Sequence, residues 1–422
     1  MEIVMRALQT ALCILAAGAV TTAGSAKADP RLQDAGPPPP TPSPISVRPA
    51  VLIGPAPSVE TTILQLPQAE ATCEGLAVQP LYADDLPVEN TFDRDAGRPD
   101  AVLGFSIAGD GRTRDIRRLA PSVQDAVMVS GATVADQHQA ALSAWRFPAG
   151  ARSDCRLTIR YRATPFAEAT QDDLLRYFAV TRTNGPLRRA VASKLAGPEA
   201  DCGGPERRGG RPPRTVSYPD SKIGRRLPPG GRSWTVLRWN TDAEGRATEV
   251  ETLGSSGDVD FDAETRRAVS ETVVQPGPPQ KGCVYNFFRI GPALLAPDLP
   301  PSADDPLQVC PPEVEDRFHA QGLPRTYPRA FADRAIEGWA LVRFDTATWG
   351  QVGNVAVIDA QPAEAFGEAG RRTVQSGRAD PGFTAGVRCV VPVRYRMPES
   401  VASNSGPDSA PDSAPDADIV LD

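Results

Sequence analysis

The sequence predicts an α+β fold: three tandem small modules, each a short antiparallel β-sheet packed with helices, between a disordered Pro-rich N-terminal segment and a disordered acidic C-terminal one. Three observations carry that prediction. Six cysteines beyond residue 28 fall in order into pairs separated by 82, 81 and 79 residues. Between the members of each pair, two strand-like runs flank a Gly-bearing turn and are followed by a helical run. The second cysteine of each pair opens a closing strand. In Cys155–Arg162, Cys155, Leu157, Ile159 and Tyr161 share one face while Arg156, Thr158, Arg160 and Arg162 share the other.

At 422 residues the chain has room for two to four domains, and its 44 Pro and 36 Gly indicate loops and linkers between them. A net charge of −7 argues against nucleic acid as a partner. Residues 1–28 read as a secretory signal: Arg6, the apolar run Ala7–Val20, then the cleavage pattern Ala26-Lys27-Ala28. Cys13 leaves with it, and the address becomes the bacterial periplasm. An uncleaved anchor helix is the alternative. Six cysteines allow 15 pairings; the near-equal spacing selects Cys73–Cys155, Cys202–Cys283 and Cys310–Cys389. Closing loops of this size stabilises by about 4 kcal/mol each in the loop-entropy model. No C-x-x-C occurs and only His138 and His319 could join a metal site, so no metal or other cofactor is expected.

Residues 29–69 read as a Pro-rich linker outside any core. Module 1 follows over 70–165, with strand Val102–Ile107, the turn Gly109-Asp110-Gly111, a helix over Ala132–Trp145 and the closing strand from Cys155. A helical connector spans 166–197 and reads as a spacer. There Thr170 and Asp173 form a capping box, and Pro186 starts a second helix. Module 2 spans 198–295: a basic loop with Arg207, Arg208, Arg211, Arg214, Arg225 and Arg226, strands Trp234–Asn240 and Glu249–Leu253, a helix over Asp260–Val274 and a closing strand from Cys283. Asp258, Asp260 and Asp262 lack the glycine and glutamate of a calcium loop and fit a helix start instead. Module 3 spans 306–398, with a helical turn at Tyr327-Pro328, strands Ile336–Asp345 and Val352–Asp359, a helix over Pro362–Gln375 and a final strand. There Val387, Cys389, Val391, Val393, Tyr395 and Met397 line one face; Arg388, Arg394 and Arg396 line the other. Pro392 has no N–H for a ladder, which places this strand at a sheet edge. Residues 399–422, with their Pro-Asp-Ser-Ala repeats, form the disordered tail. Trp234, Trp239 and Trp339 read as packing residues, and His138 and His319 as incidental surface residues.

The turn glycines Gly111, Gly245 and Gly350 precede the second cysteines by 44, 38 and 39 residues, which reads as three copies of one unit. Tyr327-Pro-Arg-Ala, then Ile336-Glu-Gly-Trp-Ala-Leu-Val-Arg-Phe, then Gly350-Gln-Val-Gly-Asn-Val-Ala-Val resembles the C-terminal domain of TonB energy transducers. The Phe366-Gly-Glu-Ala-Gly-Arg-Arg-Thr-Val run and Pro381-Gly382 extend the resemblance. Phe261-Asp-Ala-Glu-Thr-Arg-Arg-Ala-Val in module 2 and Trp145-Arg-Phe-Pro in module 1 are similar to parts of the same domain.

The resemblance implies a periplasmic module that binds a short segment of outer-membrane receptors by adding it as a strand to its own sheet. On this chain it implies an edge over Val387–Met397, with Val387, Arg388, Val390, Arg394 and Arg396 as partner-binding residues. The partner is then a protein, a TonB-dependent outer-membrane receptor or another envelope protein. A membrane enters only if the leader stays uncleaved. Two alternatives are a membrane-anchored energy transducer and a structural protein that binds peptidoglycan. No nucleophile, metal or phosphate-cradling motif occurs, and no enzyme activity is expected.

Overall fold

The computed structural model describes residues 59–91, 99–119, 128–129, 132–181, 185–202, 213–220, 227–300, 309–310, 318–320, 327–379 and 386–397. The leader, most of the Pro-rich stretch, the acidic tail and most arginines of the basic loop lie outside them.

In module 1, β1 (Ile63–Cys73), β2 (Ala101–Ile107), β3 (Thr113–Arg118), helix α1 (Val134–Ala144) and β4 (Arg152–Pro165) form an antiparallel sheet of order β1-β4-β2-β3. The connector supplies α2 (Gln171–Val180) and α3 (Pro186–Ala196). Module 2 contains β5 (Arg232–Thr241), β6 (Ala247–Ser255), α4 (Val259–Glu271) and β7 (Gln280–Ile290), in the order β6-β5-β7. Module 3 contains the short α5 (Arg329–Ala332), β8 (Gly338–Thr346), β9 (Val352–Gln361), α6 (Glu364–Ser376) and β10 (Gly386–Tyr395), in the order β9-β8-β10. Each module thus runs hairpin, helix, closing strand, and the closing strand returns beside the first strand of the hairpin. Disulfides join Cys73 to Cys155, Cys202 to Cys283 and Cys310 to Cys389.

The three hairpins match in backbone detail. Gly111, Gly245 and Gly350 have φ of 83°, 86° and 84°, and their N–H groups donate to Ala108, Asp242 and Ala347 at 2.9, 3.1 and 2.8 Å. Two of these glycines are also sterically required. A Cβ on Gly111 would stand 2.1 Å from the Phe147 carbonyl oxygen, and one on Gly245 would stand 2.0 Å from that of Val274. Positive φ recurs four residues on, at Asp115, Glu249 and Asn354. There a side-chain pair nine residues apart bridges the hairpin: Ser106–Asp115, Asn240–Glu249 at 2.5 Å and Asp345–Asn354 at 2.6 Å. The residue before each second cysteine, Asp154, Gly282 or Arg388, also has positive φ.

Four expectations need correction. The linker does not extend to residue 69, because Ile63–Cys73 is a full strand paired with β4 from Ile63↔Pro165 to Cys73↔Cys155. Leu64 and Leu66 drive this: both are buried, in a core shared with α2, α3, Trp234 and Val236. Pro67 conceals the strand in the sequence, but it falls between the short strands Glu89–Thr91 and Leu76–Ala77 that pair with the two ends of β1, so it interrupts neither ladder. The connector is likewise more than a spacer. Its capping box forms as expected, and its apolar face fills that same core. His138 is buried, not superficial. It shares a helix face with Ala135 and Leu142, and its Nε2 lies 3.6 Å from Glu89 and 3.3 Å from the Tyr161 hydroxyl. Finally, Val387 does not join the core face of β10. The left-handed φ of 55° at Arg388 inserts a bulge, so Val387 stays 46 % exposed while Cys389 is buried.

Modules 1 and 3 are fused through one apolar core. Ile116 of β3 is fully buried, and its N–H donates to the Pro362 carbonyl at 3.0 Å, just before α6. Beside it, Glu364 accepts from the Arg118 Nε at 2.6 Å and from the Gln139 amide at 2.9 Å. Asp84 of module 1 and Arg334 of module 3 form a buried ion pair. Burial pushes the Arg334 guanidinium down to about 10, so it stays charged at neutral pH. Module 2 is tied to both: the Tyr82 hydroxyl accepts from the Arg232 N–H at 3.0 Å, and Leu294 bonds the backbone at Ala335 and Glu337.

Candidate partner-binding edge

The edge is set by the bulge at the start of β10. Asp345 accepts the Arg388 N–H at 2.7 Å and the Asn354 amide at 2.6 Å, which fixes the left-handed residue in place. The Arg388 backbone bond and then the Asn354 bond hold the Asp345 carboxyl below the usual range, so it is ionised at neutral pH. Val309 and Val387 exchange N–H···O bonds of 3.0 and 2.8 Å beside the Cys310–Cys389 disulfide.

Beyond that bridge β10 alternates cleanly. Cys389, Val391, Val393 and Tyr395 face α6 and are buried; the Tyr395 ring packs edge-on to Tyr327 with centroids 5.5 Å apart. Val390, Pro392 and Arg394 face the other way, opposite Arg343, Leu341 and Trp339. Among the described residues, β10 pairs with β8 on its inner side, and nothing but Val309 pairs with its outer side. The structure therefore brings Val390 and Arg394 together on one half-buried face. Arg388 sits at the bulge, Val387 on the near side of it, and Arg396 is exposed just past the strand. Unpaired backbone N–H and C=O groups along such an edge can accept an extended chain, with one donor missing at Pro392.

The junction of the modules was not legible in the sequence. A cleft of about 480 Å³ lies there, lined by Tyr82, Asp85, Arg176, Arg232 and Trp234 among others. Its polar groups bind one another: Asp85 accepts from the Trp234 indole at 2.8 Å and lies 3.5 Å from Arg176. Asp258, at the start of α4, caps the Phe261 N–H and pairs with the buried Arg289, a structural use of the acidic cluster.

The fold is that of a small disulfide-braced α+β module whose closing strand lies at the edge of its sheet. Residues 324–397 match the family model of the Gram-negative bacterial TonB protein C-terminal domain, and module 3 belongs to that family. Domains of this family form the C-terminal part of TonB proteins of Gram-negative bacteria. No curated protein matches the chain. Among the described residues, no helix is long and apolar enough to cross a membrane.

Proposed function

We propose that this protein is a periplasmic binding protein whose third module takes up an extended segment of a TonB-dependent outer-membrane receptor, or of another envelope protein, as an added strand along β10. The observation that carries this reading is the place of β10 as the terminal strand of its sheet, in the module that matches the TonB family. Val387, Arg388, Val390, Arg394 and Arg396 would flank the added strand. Main-chain bonds supply affinity in this mode and alternate side chains supply specificity.

Modules 1 and 2 are read as diverged copies of the same unit. The shared strand order, the turn glycines near φ 85° and the left-handed residue before each second cysteine support that reading. The leader is read as a cleaved export signal. Mass spectrometry of the mature protein tests this: cleavage after Ala28 supports a periplasmic protein, and an intact N-terminus supports the membrane-anchored transducer.

Strand addition itself is tested by hydrogen exchange with solubilised receptors from a Gram-negative outer membrane. New protection of amides over 390–395 is the expected result. Complex formation without such protection would remove the edge from the mechanism.

A further inference from the structure

Modules 2 and 3 share a strand register, and one face of module 2 shows what fits the same face of module 3. Trp239 stands opposite Cys283 as Phe344 stands opposite Cys389. Both hairpins also carry a bulge at the same place, between Val236 and Leu237 and between Leu341 and Val342. Counting along the ladders sets Trp234, Val236, Leu253 and Val284 on Trp339, Leu341, Ile358 and Val390. In module 2 those four residues pack under the connector helices α2 and α3, on the sheet face away from α4. The approach is close enough that a Cβ on Gly254 would stand 2.8 Å from the Leu175 Cδ1 of α2. The corresponding face of module 3 has cover at its Trp339 end, where the indole donates to the Pro297 carbonyl at 2.7 Å. Farther along, the apolar surface is wetter than in module 2. Val236 is wholly buried but Leu341 only half-buried, and Leu253 is half-buried but Ile358 is 51 % exposed.

We infer that module 3 docks an amphipathic helix of a partner protein across this face, as module 2 docks its connector. A sheet face with an apolar stripe is completed by a helix layer, and such a helix presents its own stripe at i, i+3 and i+4 spacing. In α2 that stripe is Leu174, Leu175 and Phe178, all buried. One position differs in a way that sets the partner's chemistry. Gly254 stands opposite Val236, and its counterpart opposite Leu341 is Asp359, half-buried on the same face. A leucine placed there as Leu175 is placed on Gly254 would meet a carboxylate, at the cost of that group's water. A Lys or Arg in its place would pair with the carboxylate and lay its apolar stem along Ile358. The partner helix therefore carries an apolar stripe over Leu341, Ile358 and Val390 with one basic residue beside Asp359. This surface goes beyond the strand-addition reading and does not depend on it.

The test uses the intact oxidised chain and two synthetic peptides, one with the connector sequence Gln171–Ala196 and one with the same sequence bearing Leu175→Lys. Fluorescence anisotropy measures affinity, and methyl NMR signals of Ile358 and Val390 locate the site. The expected result is shifts at both residues, with the Leu175→Lys peptide bound roughly threefold to tenfold more tightly than the unaltered one. Asp359→Lys in the protein should reverse that preference, a readout that a merely misfolded variant would not give. Ile358→Lys, at an exposed position, should weaken both peptides at least about tenfold. Equal binding of both peptides at this face overturns the basic requirement while helix docking stands. Absence of shifts at Ile358 and Val390 with either peptide overturns the docking itself. Shifts at Leu253 and Val284 instead would show the peptide displacing the connector, and would also overturn it. Concentration-dependent sedimentation of the chain alone that Ile358→Lys abolishes would give the face to a second copy and overturn the foreign helix.

Discussion

The buried pair Asp84–Arg334 offers the sharpest test that modules 1 and 3 stand or fall together. Both side chains are almost wholly inaccessible, at 4 % and 2 %. Arg334→Met keeps the volume and removes the charge, which leaves Asp84 in the interior with the Tyr82 hydroxyl at 3.3 Å as its side-chain donor. Breaking a buried pair from one side costs about 3–5 kcal/mol, because the remaining charge loses both water and partner. At a urea m-value of about 3 kcal/mol/M, the unfolding midpoint should fall by about 1–1.7 M. Replacing both partners by apolar residues, Asp84→Leu with Arg334→Met, should recover most of that loss, since the desolvation penalty disappears with the charge. Urea unfolding with hydrogen exchange read separately in β2 and β8 measures both parts. A loss below about 1 kcal/mol refutes the burial argument. Weakened protection in β8 with β2 unchanged refutes the fused core.

Three further outcomes are expected. Ile116→Ala should cost about 2–5 kcal/mol and loosen the start of α6 as well as β3, because the residue is fully buried between them; exchange rates near Ala363 check this. Gly245→Ala should cost at least about 1–2 kcal/mol from its left-handed φ alone, with the collision at the Val274 oxygen added, as read from thermal unfolding. Acid should destabilise the fold. At Asp258 burial raises the carboxyl, but the Ser233, Phe261 and Arg289 bonds together outweigh it and leave it lowered, and Asp345 is lowered too. A depressed folded-state pKa gives stability that is full above the unfolded value near 4 and is lost as pH falls below it, so urea midpoints should drop between about pH 4 and pH 2, and Asp258→Asn should flatten that slope.

Much of the architecture was legible because it is locally encoded. Cysteine spacing, the turn glycines and the 3.6-residue helical patterns each act within one module, and Pro392 announced an edge strand that β10 does occupy. What escaped depends on distant partners. β1 hid behind Pro67 because its apolar run is short and its core partners, α2, α3 and Trp234, lie about 100 residues or more away along the chain. His138 read as superficial because a single histidine carries no sign of the tyrosine and glutamate that enclose it. The bulge at Arg388 could not be seen either. The Asp345 carboxylate, on the neighbouring strand, accepts the Arg388 N–H and holds the left-handed turn, and with it the side of the strand on which Val387 emerges.

The shared core also orders events during synthesis. Asp115 meets Gln361 across 246 residues of chain, so β3 emerges long before the helix that covers it. Chains are made N-terminus first, and a nascent module 1, with α1 already on β3, would lack the cover that α6 gives Ile116 until module 2 and most of module 3 had followed. The Cys73–Cys155 disulfide needs none of that later sequence and can close around a sheet that is still one-sided. A chain halted near residue 300 would thus be correctly cross-linked, correctly paired and still sticky. The last helix to arrive completes the first domain to be made.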